Sequence, residues 1–320
     1  MTNCGPGGMG DESCCTSPEV TPGSYNRTYT NLGNGPTAEA DPATVSGFRL
    51  DKYLVTVGRF RQYVNYLTGE AGAPPANGSG IHTYLNGGQG LSDSHSPGTY
   101  ETGWDAADWN MDIATGPGAA STWDETLGAW GDDGMAGTWT STAGSQEGLP
   151  VDCVSWDQAY AFCIWDGGFL PSEAEWGYTA AAGSQEREYP WGSTDPGTAN
   201  QYAITNCDYP SGASACASAG PGNIAPVGTA ALGAGYWGQL DLAGEVWEWT
   251  ADWIGPYGDP CTDCAALTVG VVDGGFVGGL RAIRGGDFAP GTGLLFPFTR
   301  SDAEPGPGSG GIGFRCARAP

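Results

Sequence analysis

The sequence has little positive charge and few histidines. Lysine and arginine number 11 against 36 acidic residues, and the net charge is −25. Nucleic acids and anionic lipid surfaces bind through basic patches, so both are excluded as partners. Cations are the natural partners of such a surface, unless the acidity serves solubility alone. His82 and His95 are the only histidines, both in loop-like sequence, which excludes a spaced cysteine and histidine zinc site.

Long apolar runs are also missing. No stretch of about 18 apolar residues exists, so no segment is expected to span a membrane. The first residues, MTNCGPGGMG, lack the apolar core of a signal peptide, so an exported protein would be present here in a processed form. Cys4 would then be either a lipid-anchor cysteine or half of a disulfide, and the sequence leaves both open.

Cysteine, in contrast, is abundant, with ten residues. Close sets are Cys14/Cys15, Cys207/Cys216 and Cys261/Cys264. An even number of cysteines is typical of disulfides formed in an oxidising compartment, and we expect an extracellular or cell-envelope protein. The 56 glycines and 23 prolines approach the level of disordered chains, but 13 Trp and 14 Tyr in non-repeating sequence favour a loop-rich globular fold.

Three helices are predicted from their caps and apolar spacing. Thr56 precedes a helical pattern that Gly69 ends, and capping boxes at Ser155–Gln158 and Ser172–Glu175 begin two more. Alternation predicts a strand at 48–56, and short strands are predicted at 246–250, 281–284 and 312–317. Few helices, many short strands and long ordered loops indicate the α+β class.

The chain divides into two parts by composition. Residues 1–45 are polar and rich in glycine and proline, which predicts an irregular arm pinned by disulfides. Residues 46–320 form the main domain, with a tryptophan-rich insertion at about 70–148. A loop of that length must be anchored, and its tryptophans are the expected anchors, with stacking on sugars as the alternative.

Five sequence blocks resemble one known family in both order and spacing. They are PVDCVSWDQAYAFCIWDGGFLPSEAEW, YPWG, DLAGEVWEWTADW, IRGGDF and GIGFRCAR. Over about residues 46–318 the chain resembles the formylglycine-generating enzyme, or sulfatase-modifying factor, family. The resemblance implies an α+β variant of the C-type lectin-like fold. The superfamily includes copper-dependent oxidases, iron-dependent sulfoxide synthases and diversified proteins that only bind ligands, so membership leaves the activity open.

The resemblance also implies a structural calcium site. Its ligands would be Asp241, the carbonyls of Gly244 and Val246, and Glu248. Calcium takes six to eight oxygen ligands, which carboxylates and bent-loop carbonyls supply. The alternative is that Glu248 is exposed or paired with an arginine such as Arg284. A second, weaker site would begin at Asn200 and the Gln201 carbonyl, since its later Asp ligand has no clear match.

Further family features concern cysteines. The resemblance implies a disulfide between Cys163 and Cys316, whereas proximity suggests Cys207–Cys216 and Cys261–Cys264. Cys4, Cys14, Cys15 and Cys153 would form two more in an order that the sequence leaves open.

The family's catalytic cysteines are replaced. The oxidases hold Cu(I) with two cysteines after the RGGS turn, and these positions correspond to Pro290 and Leu295 here. Neither side chain ligates copper, so we expect no bound copper. Two histidines cannot form a three-histidine iron site. The cofactor that we expect is the structural calcium ion that the resemblance implies. Leu54 and Phe169 also stand where the family prefers Glu and Arg.

The favoured function is therefore non-catalytic. We expect an exported, calcium-stabilised module that binds a ligand or serves a structural role at the cell surface. Two alternatives stay open: an oxidoreductase of this family with a changed active site, and a self-assembling surface or filament subunit. The ligand, protein or glycan, is not readable. Its expected contact face is Asp287, Phe288, Leu294, Leu295, Phe296, Phe298, Arg300 and Asp302, unless the phenylalanines are core.

Overall fold

The structure is a computed structural model. It describes residues 4, 10, 12–128, 137–210, 216, 221–269, 271–272, 275–276, 279–289, 291–306 and 310–320. The helices in these residues are α1 Val57–Leu67, α2 Ala120–Gly128, α3 Trp156–Trp165 and α4 Glu173–Ala180. The strands are β1 Glu19–Val20, β2 Gly23–Thr30, β3 Thr37–Val45, β4 Phe48–Leu50, β5 Ser92–Asp93, β6 Trp247–Trp253, β7 Cys261–Thr262, β8 Cys264–Ala265, β9 Val271–Val272, β10 Gly275–Phe276, β11 Arg281–Arg284, β12 Arg300–Ala303, β13 Ile312–Gly313 and β14 Ala317–Arg318. The α+β, loop-rich fold class is thus confirmed.

The three predicted helices form because their first turns are capped. In α1 the Thr56 hydroxyl accepts a hydrogen bond from the Arg59 N–H at 3.2 Å. Both capping boxes are complete: Ser155 with Gln158 opens α3 and Ser172 with Glu175 opens α4. Each reciprocal pair satisfies two backbone donors that a helix N-terminus otherwise leaves without a partner.

The predicted strands near 246, 281 and 312 meet in one sheet. Its order is β12-β11-β6-β13, antiparallel except for the parallel pair of β6 and β13. Strand β4 lies between β1 and β14, so both ends of the chain join the same small sheet. Of the strand expected at 48–56, only Phe48–Leu50 forms.

The N-terminal segment differs from its prediction as an irregular arm. Strands β2 and β3 form an antiparallel hairpin, and β3 also pairs with β7. Tyr25, Arg27 and Tyr29 alternate inward along β2, and all three are buried. The period of two buries one face of β2, which is why this strand packs against the domain.

The insertion is anchored by its tryptophans, as expected. Trp104 and Trp123 are each 1% exposed. The Trp123 ring lies 5.9 Å from that of Phe60, and the Trp104 ring lies 5.9 Å from that of Tyr160. Trp130 falls outside the described residues.

The disulfides Cys163–Cys316, Cys207–Cys216 and Cys261–Cys264 are present in the structure. Cys4 bonds to Cys14, so the expectation of two bridges among the remaining four cysteines holds for one pair. Cys15, next to that bridge in the sequence, has an exposed thiol. Cys153 is buried. No helix in the described ranges is long and apolar enough to cross a membrane.

Replacing both Cys163 and Cys316 by Ala should strongly destabilise the protein. The bridge spans 153 residues, and closing such a loop contributes about 5 kcal/mol in the chain-entropy model. Removing the Cys261–Cys264 bridge, with a separation of 3, should cost about 2 kcal/mol and is the matched control. Urea unfolding measures both, and equal losses would contradict the loop-length account.

Candidate functional site

The carboxylate of Glu248 is held by an arginine. Arg315 donates from Nε and Nη2 to its two oxygens at 2.6 and 2.8 Å, and both side chains are fully buried. Arg315 also donates to the backbone carbonyls of Asp51, Lys52 and Asp241. The sequence left open whether Glu248 binds calcium or pairs with an arginine such as Arg284. In the structure Glu248 pairs with an arginine, which is Arg315 and not Arg284. Glu248 needs no metal ion to balance its charge.

Two other carboxylates of this segment, Asp241 and Glu245, interact with each other, and neither forms an ion pair with a described residue. Asp241 accepts a hydrogen bond from the Gly228 N–H, and Glu245 accepts one from the Ala225 N–H, each at 2.6 Å. The second oxygen of Glu245, Oε2, is buried and makes no hydrogen bond with a described residue. Burial, followed by the Asp241 charge, raises the pKa of Glu245 well above its usual value.

Backbone strain marks the same two residues. Asp241 and Glu245 have φ values of 58° and 72°, which are uncommon for residues other than glycine. Such outliers concentrate at ligand-binding segments. The predicted ligand Glu248 is already neutralised by Arg315. Within the described residues, no three histidine, cysteine, aspartate or glutamate side chains lie together so that they could hold a metal ion. The sequence comparison treated Glu245 only as a departure from the family.

The predicted second calcium site has its carbonyl ligand in use. The Gln201 carbonyl accepts a hydrogen bond from the Leu232 N–H at 2.8 Å. The Asn200 amide donates to the Asp208 carbonyl at 3.0 Å, and Asn200 has a left-handed φ of 56°. These contacts close the turn internally.

Two of the eight residues of the predicted contact face are buried. Phe288 and Leu295 are 4% and 1% exposed, so they belong to the core and are corrected as ligand contacts. Arg300 forms a bidentate pair with Glu173, at 2.8 and 2.6 Å. Leu294, Phe296 and Phe298 are half-buried, Asp287 likewise, and Asp302 is exposed. Pro290 falls outside the described residues.

A cavity of about 460 Å³ lies elsewhere, between the insertion and the central sheet. Its aromatic wall contains Trp109, Trp156, Tyr160 and Trp253. Its other lining residues include Thr99, Thr102, Thr268, Asp108 and Arg281. The volume lies in the range of small-molecule sites, which are mostly apolar with a few polar groups.

Arg281 is the cation in this wall. It is 4% exposed, and its guanidinium carbon lies 3.5 Å from the centre of the Trp156 ring and 3.6 Å from that of Trp253. One nitrogen donates to the Ala251 carbonyl at 2.9 Å, while Nε has no hydrogen-bond partner among the described residues. Burial lowers the pKa of Arg281 to about 9, and Asp157 and Asp252 offset this only in part.

A cluster of His82, Glu101 and Glu175 connects the cavity wall to helix α4. His82 Nδ1 lies 2.9 and 3.0 Å from the two oxygens of Glu101, and its Nε2 lies 3.6 Å from Glu175. The ring packs on Phe169 at 3.6 Å between centres. Burial alone lowers the pKa of His82, but the charges of Glu101 and Glu175 outweigh it and raise it to about 9. The cluster therefore carries a charged imidazolium at neutral pH.

The chain belongs to the sulfatase-modifying factor enzyme 1-like domain family, whose sequence model matches residues 12–320. The family region thus begins well before residue 46, since it includes the hairpin of β2 and β3.

Similar proteins include one that is named as an enzyme and one that is named as inactive. The formylglycine-generating enzyme of Mus musculus is 31% identical over 68% of this chain and 52% of its own length. The inactive Cα-formylglycine-generating enzyme 2 of Mus musculus is 32% identical over 56% of this chain and 54% of that protein. This chain therefore spans about half the length of these relatives. PvdO from Pseudomonas aeruginosa shares the fold, with a TM-score of 0.57 at 20% identity over 97% of this chain and 100% of that one.

Stability should fall as pH rises because of His82. Its pKa is raised from 6.5 to about 9 in the fold, so its contribution is complete below about pH 6.5 and lost by about pH 9. The shift corresponds to about 3 kcal/mol. Urea unfolding at pH 6, 7.5 and 9 should show this fall in the wild type and in the matched control His95→Gln, and a smaller fall in His82→Gln, where only buried carboxyls such as Glu245 still contribute. An unchanged profile in His82→Gln would contradict the assignment.

Proposed function

We propose that this protein is a non-catalytic member of the family that binds a ligand at the cell surface. The proposal depends on the burial of Leu295. By the sequence resemblance, Leu295 corresponds to a copper-binding cysteine of the oxidases. Its side chain is buried and packs with Tyr189, Ala203 and Ala243. A buried leucine supplies neither a soft ligand nor an oxidisable group.

The cavity supports the binding part of the proposal. It combines indole and phenol faces with polar groups, which is the composition of small-molecule sites. Its walls are held rigidly: Trp156 donates to the Thr250 carbonyl at 2.7 Å, and His82 ties the insertion to α4. Pre-organised walls reduce the entropy lost on binding.

Export and calcium complete the proposal. The four disulfides suit an oxidising compartment. A calcium ion would be held by the Asp241 and Glu245 carboxylates, where the unpartnered Glu245 Oε2 supports it. It would neutralise two buried carboxylates and so stabilise the segment between them.

The natural chain should neither bind Cu(I) tightly nor oxidise a cysteine peptide. Cu(I) titration and mass spectrometry of the peptide after aerobic incubation measure this. The matched variant, Pro290→Cys with Leu295→Cys, restores both thiols and should gain Cu(I) affinity. Tight Cu(I) binding with peptide turnover by the natural chain would contradict the proposed function.

Calcium should raise the melting temperature through Glu245. At a calcium concentration 100-fold above Kd the gain is about 2.7 kcal/mol. Calorimetry in calcium and in EDTA should show the gain in the wild type and in Glu125→Gln, which alters an exposed carboxylate of α2. Glu245→Gln should abolish it. A wild type indifferent to calcium, or a gain retained in Glu245→Gln, would contradict the site.

A further inference from the structure

The cavity contains a buried arginine, Arg281, that makes no ion-pair contact with a described carboxylate, although the charges of Asp157 and Asp252 act on it from farther away. The structure describes five buried arginines, and four of them contact a carboxylate within 4.0 Å: Arg27, Arg59, Arg284 and Arg315. Arg281 has no such contact with a described residue. Burying an unpaired charge is costly, so a ligand that supplies an anion at Arg281 would recover part of that cost.

Two of the acidic lining residues do not compete for that role. Glu101 is bonded to His82 and accepts the Leu91 N–H at 3.0 Å. Asp93 accepts hydrogen bonds from the Leu267 N–H at 3.2 Å and from the Thr268 hydroxyl at 2.8 Å. Both carboxylates are therefore satisfied inside the protein. Asp108 is exposed at the rim.

The geometry of Arg281 favours a planar anion. The guanidinium carbon lies 3.5 Å from the centre of the Trp156 ring and 3.6 Å from that of Trp253, so the indoles pack on the guanidinium faces and an anion would bind at its edge. A guanidinium edge presents parallel N–H donors that match a carboxylate. Nε is buried and has no hydrogen-bond partner among the described residues, so an anion that reached this edge would accept from it.

The remaining wall favours a ring. Trp109 and Trp253 are half-buried and line the cavity, so part of each indole is accessible. Apolar faces of this kind pack against rings. Thr99 and Thr268 also line the cavity and donate to the Ser96 carbonyl and to Asp93, so their hydroxyl oxygens can still accept from a hydroxylated ligand. The net charge of −25 disfavours a polyanion, which leaves a molecule with a single negative charge.

We propose that this cavity binds a carboxylated pyranose of the uronic acid class, with its carboxylate on Arg281 and its ring against Trp109 and Trp253. The proposal rests on the proposed function, because it names the ligand class of that binding site.

Isothermal titration calorimetry with D-glucuronate and D-glucose tests the proposal on the wild-type protein. Glucuronate should bind one-to-one, and glucose at least about tenfold more weakly, because it lacks the anion. Equal affinities would overturn the carboxylate assignment while leaving a sugar-binding function intact. If neither sugar binds, the proposal itself is overturned. The copper assay tests the non-catalytic function separately.

Variants locate the contact. Arg281→Met should weaken glucuronate binding at least about tenfold and leave glucose binding unchanged. The matched control is Arg61→Met, since Arg61 also lies over an indole, that of Trp139, outside the cavity lining. Trp109→Ala should weaken both sugars, and it serves if Arg281→Met does not fold. Full glucuronate affinity in Arg281→Met would contradict the proposal.

Discussion

The buried pair of Arg315 and Glu248 is the constraint on which the rest of the structure depends. One guanidinium joins the end of the chain to β6 and to the carbonyls after β4 and at Asp241. The next residue, Cys316, fixes the same segment to α3. Removing either charge would leave the other buried and unpaired, which typically costs about 3–5 kcal/mol. The pair thus connects the central sheet, the C-terminal segment, the residues after β4 and the Asp241 segment.

Elsewhere in the interior, charges are neutralised in a similar way. Phe169 stands where the family prefers an arginine, and the His82 imidazolium packs on it and lies beside Glu175. The insertion thereby supplies a positive charge next to helix α4. Arg281 differs because its partners are indole faces and one carbonyl. This contrast, more than the cavity's size, distinguishes the site from the packed core around it.

Local features of the fold were predictable from the sequence, and long-range pairings were not. Capping boxes and strand alternation act over a few residues, so α3, α4 and β6 follow from them. The hairpin was missed because β3, TAEADPATV, has weak strand propensity and is held by pairing. Glu248 meets a residue 67 positions away, so no local pattern identifies its partner. Likewise, the sequence shows Arg281 in a strand but not the two indoles that enclose it.

The central claim is that the family's metal-binding position is closed here and that ligand recognition lies at Arg281 instead. A crystal structure of the protein grown with D-glucuronate tests it most directly. The account predicts ligand density in the cavity, with the carboxylate in contact with Arg281 and the pair of Arg315 and Glu248 intact. Density for the sugar or for a redox metal beside Leu295, with the Arg281 cavity empty, would contradict it.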